Sequence, residues 1–143
     1  MFGCGCWAQH SKSKCGVAVT TSGCGEQLIM TTLAKTIGEN VLKEEEGGGS
    51  QAAFCLKESM TDYFINSDIL TADAHDVMGG VLVAYYDQRS VDFNFAFTTD
   101  SMAVGFMATS QEKATVRVAR SSTSCTSSSP KSRLTMEGFV VNL

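Results

Sequence analysis

Gly16-Val17-Ala18-Val19-Thr20-Thr21-Ser22-Gly23-Cys24-Gly25-Glu26 is the stretch that decides how this 143-residue chain is read. Val17 to Thr21 is a short β-branched run, the composition of a strand. Ser22 to Gly25 supplies the small residues of a tight turn. Glu26 then opens a helix, where an acidic side chain suits the positive end of the helix dipole. Strand, turn and helix start leave the backbone N–H groups of Gly23, Cys24 and Gly25, with the Ser22 hydroxyl, at a helix N-terminus. Such a turn can hold an anion or an oxyanion. The same four residues also read as a plain strand-to-helix cap with no ligand.

Upstream, Phe2 to Ala8 reads as a strand or strand edge whose small residues permit close approach. His10 to Lys14 is polar and reads as a loop. Downstream, Ile29, Leu33, Ile37 and Val41 recur every four residues and predict one helix from Glu26 to about Leu42. Lys43-Glu44-Glu45-Glu46-Gly47-Gly48-Gly49-Ser50 is a charged, glycine-rich breaker, expected to be a flexible surface loop. Helical spacing returns over 51–65, with Ala53, Leu56, Met60 and Phe64 on one face, and 66–78 is a polar connection. Then the period changes to two. Gly80 to Tyr86 is an apolar strand, and Val91, Phe93, Phe95 and Phe97 alternate with Asp92, Asn94, Ala96 and Thr98. Ser101 to Thr109, Ala114 to Ala119 and Leu134 to Asn142 predict further strands, and 121–133 is a Ser/Thr-rich loop. A strand, two helices and a meander of strands make half of a layered α/β/α arrangement in a single α/β domain spanning 1–143.

Composition narrows the function classes. Hydrophobic residues make up 43% and charged residues 18%, which suits a globular core. The formal charge of −4 gives no basic footprint, so no nucleic-acid partner is expected. No apolar run reaches the length of a membrane span. With no secretory signal in view, the six cysteines (Cys4, Cys6, Cys15, Cys24, Cys55, Cys125) are expected as reduced thiols inside the cell, in cytoplasm or nucleus. The Cys4-x-Cys6 pair with Cys15 and Cys24 lacks the paired spacing of a zinc site, so these cysteines are expected as small buried apolar residues. No metal and no cofactor are expected. His10 and His75 have no partner at the spacing of a catalytic triad. Trp7 is expected to fill the core.

Four segments carry a family resemblance. Gly3-Cys4-Gly5-Cys6-Trp7-Ala8, Ala18-Val19-Thr20-Thr21-Ser22-Gly23-Cys24-Gly25-Glu26-Gln27-Leu28-Ile29, Gly79-Gly80-Val81-Leu82-Val83 and Thr98-Thr99-Asp100-Ser101-Met102-Ala103-Val104-Gly105-Phe106-Met107 resemble, in this order, the threonine aspartases (taspases). These belong to the type-2 asparaginase branch of the N-terminal-nucleophile hydrolases. The resemblance runs from Phe2 to about residue 107. It implies part of a four-layer αββα sandwich, incomplete at its N-terminus. It also implies threonine-type endopeptidase activity, cleaving protein substrates after aspartate, with nuclear transcription regulators as substrates. In the family, a threonine freed by self-cleavage attacks, and its own α-amine acts as base. The residues that carry over are Ser22 and Gly23, whose hydroxyl and N–H hold substrate and oxyanion, and Gly25, which lines the pocket.

The family's self-cleavage falls at an Asp-Thr or Gly-Thr bond, and this sequence contains neither dipeptide. The family's arginine-bearing Gly-Arg-Val-Gly segment is also missing. The nucleophile and the arginine are therefore expected upstream, in an α-subunit-like half, within an assembly of two α and two β parts, and this chain alone is expected to be inactive. Two other readings stay open. One is a shortened, non-catalytic isoform or pseudoenzyme that binds a partner subunit. The other is an asparaginase or isoaspartyl peptidase on the same scaffold.

Overall fold

Apolar residues at two periods build the molecule as a helical layer against a pleated one. The computed structural model describes residues 1–12, 14–46, 52–71, 76–107, 112–121 and 134–142. The strands are β1 (Cys6–His10), β2 (Gly16–Gly23), β3 (Gly79–Tyr86), β4 (Ser90–Phe97), β5 (Ser101–Phe106), β6 (Thr115–Arg120) and β7 (Thr135–Asn142). The helices are α1 (Gly25–Thr31), α2 (Leu33–Glu46), α3 (Ala52–Ser59), which continues as a π-helical turn over Met60–Ile65, and α4 (Asp68–Thr71). A five-stranded antiparallel sheet has the order β1-β2-β3-β4-β7, and β5-β6 forms a separate two-stranded sheet. The class is mixed α/β, with mostly antiparallel pairing.

Successive side chains of a strand point to opposite faces. Val17 and Val19 of β2 and Val81, Val83 and Tyr85 of β3 therefore share one face, where they pack with Leu33, Ile37 and Val41 of α2, Leu56 of α3, and Met60 and Phe64 of the π turn. The opposite face of β4 carries Phe95 and Phe97, buried with Val104 of β5 and Ala119 of β6. Phe93, Phe106 and Phe139 extend that layer, the last two with ring centroids 4.4 Å apart. The described residues thus form a helix layer, a five-stranded sheet and a smaller sheet, held by two apolar cores. Each fully buried large side chain contributes about 1.5–3 kcal/mol.

The β5–β6 hairpin covers only part of the second face. Cys6, Ala8 and His10 of β1 and Ala18, Thr20 and Ser22 of β2 point the same way and are all exposed. No helix among the described residues is long and apolar enough to cross a membrane.

Several elements differ from expectation. Residues 2–5 form a turn, so the first strand starts only at Cys6, and His10 ends it, paired with Gly16, instead of opening a loop. The turn is tied back by the Lys35 N–H donating to the Gly3 carbonyl (2.9 Å) and the Thr21 N–H to the Gly5 carbonyl (2.9 Å). The helix predicted over 26–42 breaks at Thr32, which sits in the left-handed region (φ 44°, ψ 45°). Threonine hydroxyls compete for backbone carbonyls there: Thr31 Oγ1 donates to Gln27 O (2.8 Å) and Thr36 Oγ1 to Thr31 O (3.2 Å). α2 then runs through 43–46, where a loop was expected. The rest of that breaker (47–50), Gln51, Asp73, His75, Thr109, Cys125 and all of the Ser/Thr-rich loop except Ser121 lie outside the described residues.

The cysteines are not uniformly buried as expected. Cys55 is buried, Cys4, Cys15 and Cys24 are half-buried, and Cys6 is exposed. Cys6 lands outside because its side chain falls on the face of β1 turned away from the helices. Trp7, one residue on, points the other way and packs against the helix-side core.

Candidate functional site

The turn after β2 is positioned by its neighbours on both sides. On one side Thr21 Oγ1 donates to the Cys4 carbonyl at 2.6 Å, which ties the first glycine-cysteine segment to β2. On the other, β2 and β3 pair so that Ser22 lies opposite Gly80 and Gly23 opposite Gly79. Gly80 in turn pairs with Phe97, at the end of β4. Met102 of β5 lies over Gly80, its Sδ only 2.8 Å from where a Cβ on Gly80 would stand. The four segments quoted for the family resemblance therefore converge at one end of the sheet.

Ser22 and Gly23 are exposed there, with the Ser22 side chain on the uncovered face. Gly23 has φ +149°, and a Cβ on it would run into the Met78 carbonyl and stand 2.7 Å from the Gly79 Cα. That close backbone approach requires glycine. Cys24 caps α1 in extended conformation (φ −66°, ψ 109°) without a side-chain bond, and its carbonyl accepts the Leu28 N–H at 3.1 Å. Gly25, the first residue of α1, is exposed, and a Cβ on it would meet nothing within 4 Å.

One expectation fails at this turn. The N–H of Cys24 donates to the Met78 carbonyl at 2.9 Å, so it is already committed within the chain. Of the three N–H groups read from sequence as a cradle, Cys24's is consumed by packing against the segment that enters β3. α1 itself is only 7 residues long, which makes its dipole small. Sequence reasoning also missed what holds that segment. Gln27 Oε1 accepts the Met78 N–H at 2.9 Å, and Gln27 Nε2 donates to the Asp76 carbonyl at 3.1 Å. Thr98 Oγ1 donates to the Val77 carbonyl at 2.6 Å and accepts the Gly79 N–H at 3.0 Å. Gln27 sits at the third position of α1, but its amide bonds residues 76 and 78 instead of its own N-cap, so no local sequence signal pointed to it.

Other candidates do not gather here. His10 lies at the far end of β1, opposite Gly16. Among the described residues no group of three or more His, Cys, Asp or Glu side chains is placed to hold a metal ion. Two clefts lie elsewhere: one of about 180 Å³ beside α2 and α3, lined by Asn40, Lys43, Glu58 and Asp62 among others, and one of about 370 Å³ at β4 and β7. One electrostatic perturbation among the described residues lies remote from the turn. Asp87, between β3 and β4, is held below the ordinary aspartate range, first by the Arg89 N–H and then by the Ser90 N–H. No family model matches the chain.

Proposed function

We propose that this chain is the C-terminal part of a threonine aspartase, a threonine-type endopeptidase that cleaves protein substrates after aspartate. One observation carries the proposal: the four segments that resemble the family meet around Ser22 and Gly23. The pairing of β1 through β4, with β5 over Gly80, brings these segments together from about a hundred positions of sequence. In this proposal the Ser22 hydroxyl and the Gly23 N–H bind the oxyanion of the tetrahedral intermediate, and the open space over Gly25 admits substrate. The threonine nucleophile comes from an upstream α-subunit-like half. That half packs on the uncovered face of β1 and β2, completing an αββα sandwich in an assembly of two α and two β parts. Intracellular nuclear regulators are the proposed substrates.

The scaffold alone fits an asparaginase equally, and the chain without its nucleophile fits a shortened binding protein. Co-expression with the upstream half of a related threonine aspartase separates the three. The expected product is a soluble complex that cleaves an aspartate-containing peptide far faster than it hydrolyses free asparagine. Preference for free asparagine establishes the amidohydrolase. A stable complex with neither activity establishes the binding protein.

A further inference from the structure

We propose that Gln27 is a positioning residue that sets the geometry of the Ser22–Gly23 turn through the backbone of 76–79, an inference that rests on the proposed function of that turn. Residues 76–78 belong to no helix or strand, yet their polar backbone groups are taken up by side chains from two different elements. Gln27, from α1, grips the Asp76 carbonyl and the Met78 N–H. Thr98, at the end of β4, grips the Val77 carbonyl and the Gly79 N–H from the other side. The segment is therefore clasped across its width.

The clasp bears directly on the turn. The Met78 carbonyl accepts the Cys24 N–H, and it stands too close to Gly23 for a Cβ there. A shift of Met78 by a few tenths of an ångström must move the peptide between Gly23 and Cys24 or break that bond. Oxyanion donors act only when aimed where charge develops, so small displacements are costly. A half-buried glutamine bonded through both ends of its amide is suited to this. Gln27 needs no contact with substrate. It acts through Met78.

Two variants test it. Gln27→Met keeps the length and removes both bonds. Gln27→Glu keeps the acceptor for the Met78 N–H and loses the donor to Asp76. Amide exchange of Met78 and Cys24 is measured in the full chain, and kcat and KM in the complex with the upstream half. In Gln27→Met both amides exchange about tenfold faster, and kcat falls about tenfold with KM little changed. In Gln27→Glu protection of the Met78 amide and most of kcat return. Unchanged exchange in Gln27→Met, or unchanged kcat in an active complex, overturns the proposal. Should Gln27→Met not fold, Gln27→Ala, which removes both bonds with less bulk, is read in the same way: faster exchange of the Met78 and Cys24 amides is the expected result, and unchanged exchange overturns the proposal. A wild-type complex without hydrolysis contradicts the proposed function alone, since exchange still decides whether the clasp exists.

Discussion

At Gly23 a single missing side chain decides whether the turn forms. A methyl group there meets the Met78 carbonyl and the Gly79 Cα, and both are backbone, so neither yields cheaply. Gly23→Ala is expected to cost about 1–3 kcal/mol in urea unfolding. Gly25→Ala, in open space, is expected to change stability by less than about 1 kcal/mol. Any loss of activity in Gly25→Ala then reports crowding of substrate. Asp87 gives a second residue-scale expectation. Its Oδ1 accepts bonds from Arg89 N (3.0 Å), Ser90 N (2.9 Å) and Ser90 Oγ (3.2 Å). These favour the carboxylate and lower its pKa, so the stability they add is present above the unfolded-state pKa and is lost as pH falls through the folded one. Asp87→Ala is therefore expected to lower the melting temperature at neutral pH, with the difference from wild type vanishing in strong acid. The place of Ser22 and Gly23 at the end of a strand was legible from their neighbours alone. The fate of the Cys24 N–H was not, because its acceptor belongs to Met78, a residue distant in sequence and brought alongside by the pairing of β2 with β3.

Among the elements, the alternation over β4 was plain in sequence because period two belongs to strands, while the apolar run of β3 was legible from its shortness, its leading glycines and its β-branched and aromatic residues. The break at Thr32 was hidden. Leu33, Ile37 and Val41 continue the apolar stripe through it, while the hydroxyl competition at Thr31 and Thr36 leaves that stripe untouched. The separation of β5 and β6 into their own sheet was also hidden, since strand signals do not name partners. Helix α2 offers a direct test of packing against propensity. Gly38 sits inside it, where alanine is intrinsically favoured by about 1 kcal/mol. A Cβ there would stand 2.7 Å from Trp7 Cδ1 and 3.4 Å from Val19 Cγ2. Trp7 is itself held from above, with Phe2 edge-on at 5.2 Å and Lys35 Nζ 5.7 Å from its ring. Overpacking of this kind costs about 1–3 kcal/mol. Gly38→Ala is thus expected to lower stability, with reduced Trp7 fluorescence anisotropy as the ring is displaced. An increase in stability would show that the β1–α2 contact is loose.

For the whole molecule, the question is what covers the second face of β1 and β2. Six exposed positions (Cys6, Ala8, His10, Ala18, Thr20 and Ser22) line it, mostly small enough for another sheet to pack closely. Cys6 makes the proposed assembly measurable. In the chain alone its thiol is expected to react with iodoacetamide at the rate of an exposed cysteine, and in the complex with the upstream half at least about tenfold more slowly. Equal rates would place the partner elsewhere. Under the proposed function the nucleophile lies in the other half, so the purified chain alone is expected to release no product from an aspartate-containing peptide. In the proposed complete enzyme, the Ser22 hydroxyl would stabilise the charge created by a nucleophile from the other half. The most direct measurement is kcat for cleavage of an aspartate-containing peptide by that complex carrying Ser22→Ala. A fall of about 10²–10³-fold, largely restored by Ser22→Thr, is the predicted result. Turnover by Ser22→Ala equal to that of the unsubstituted complex would contradict the account.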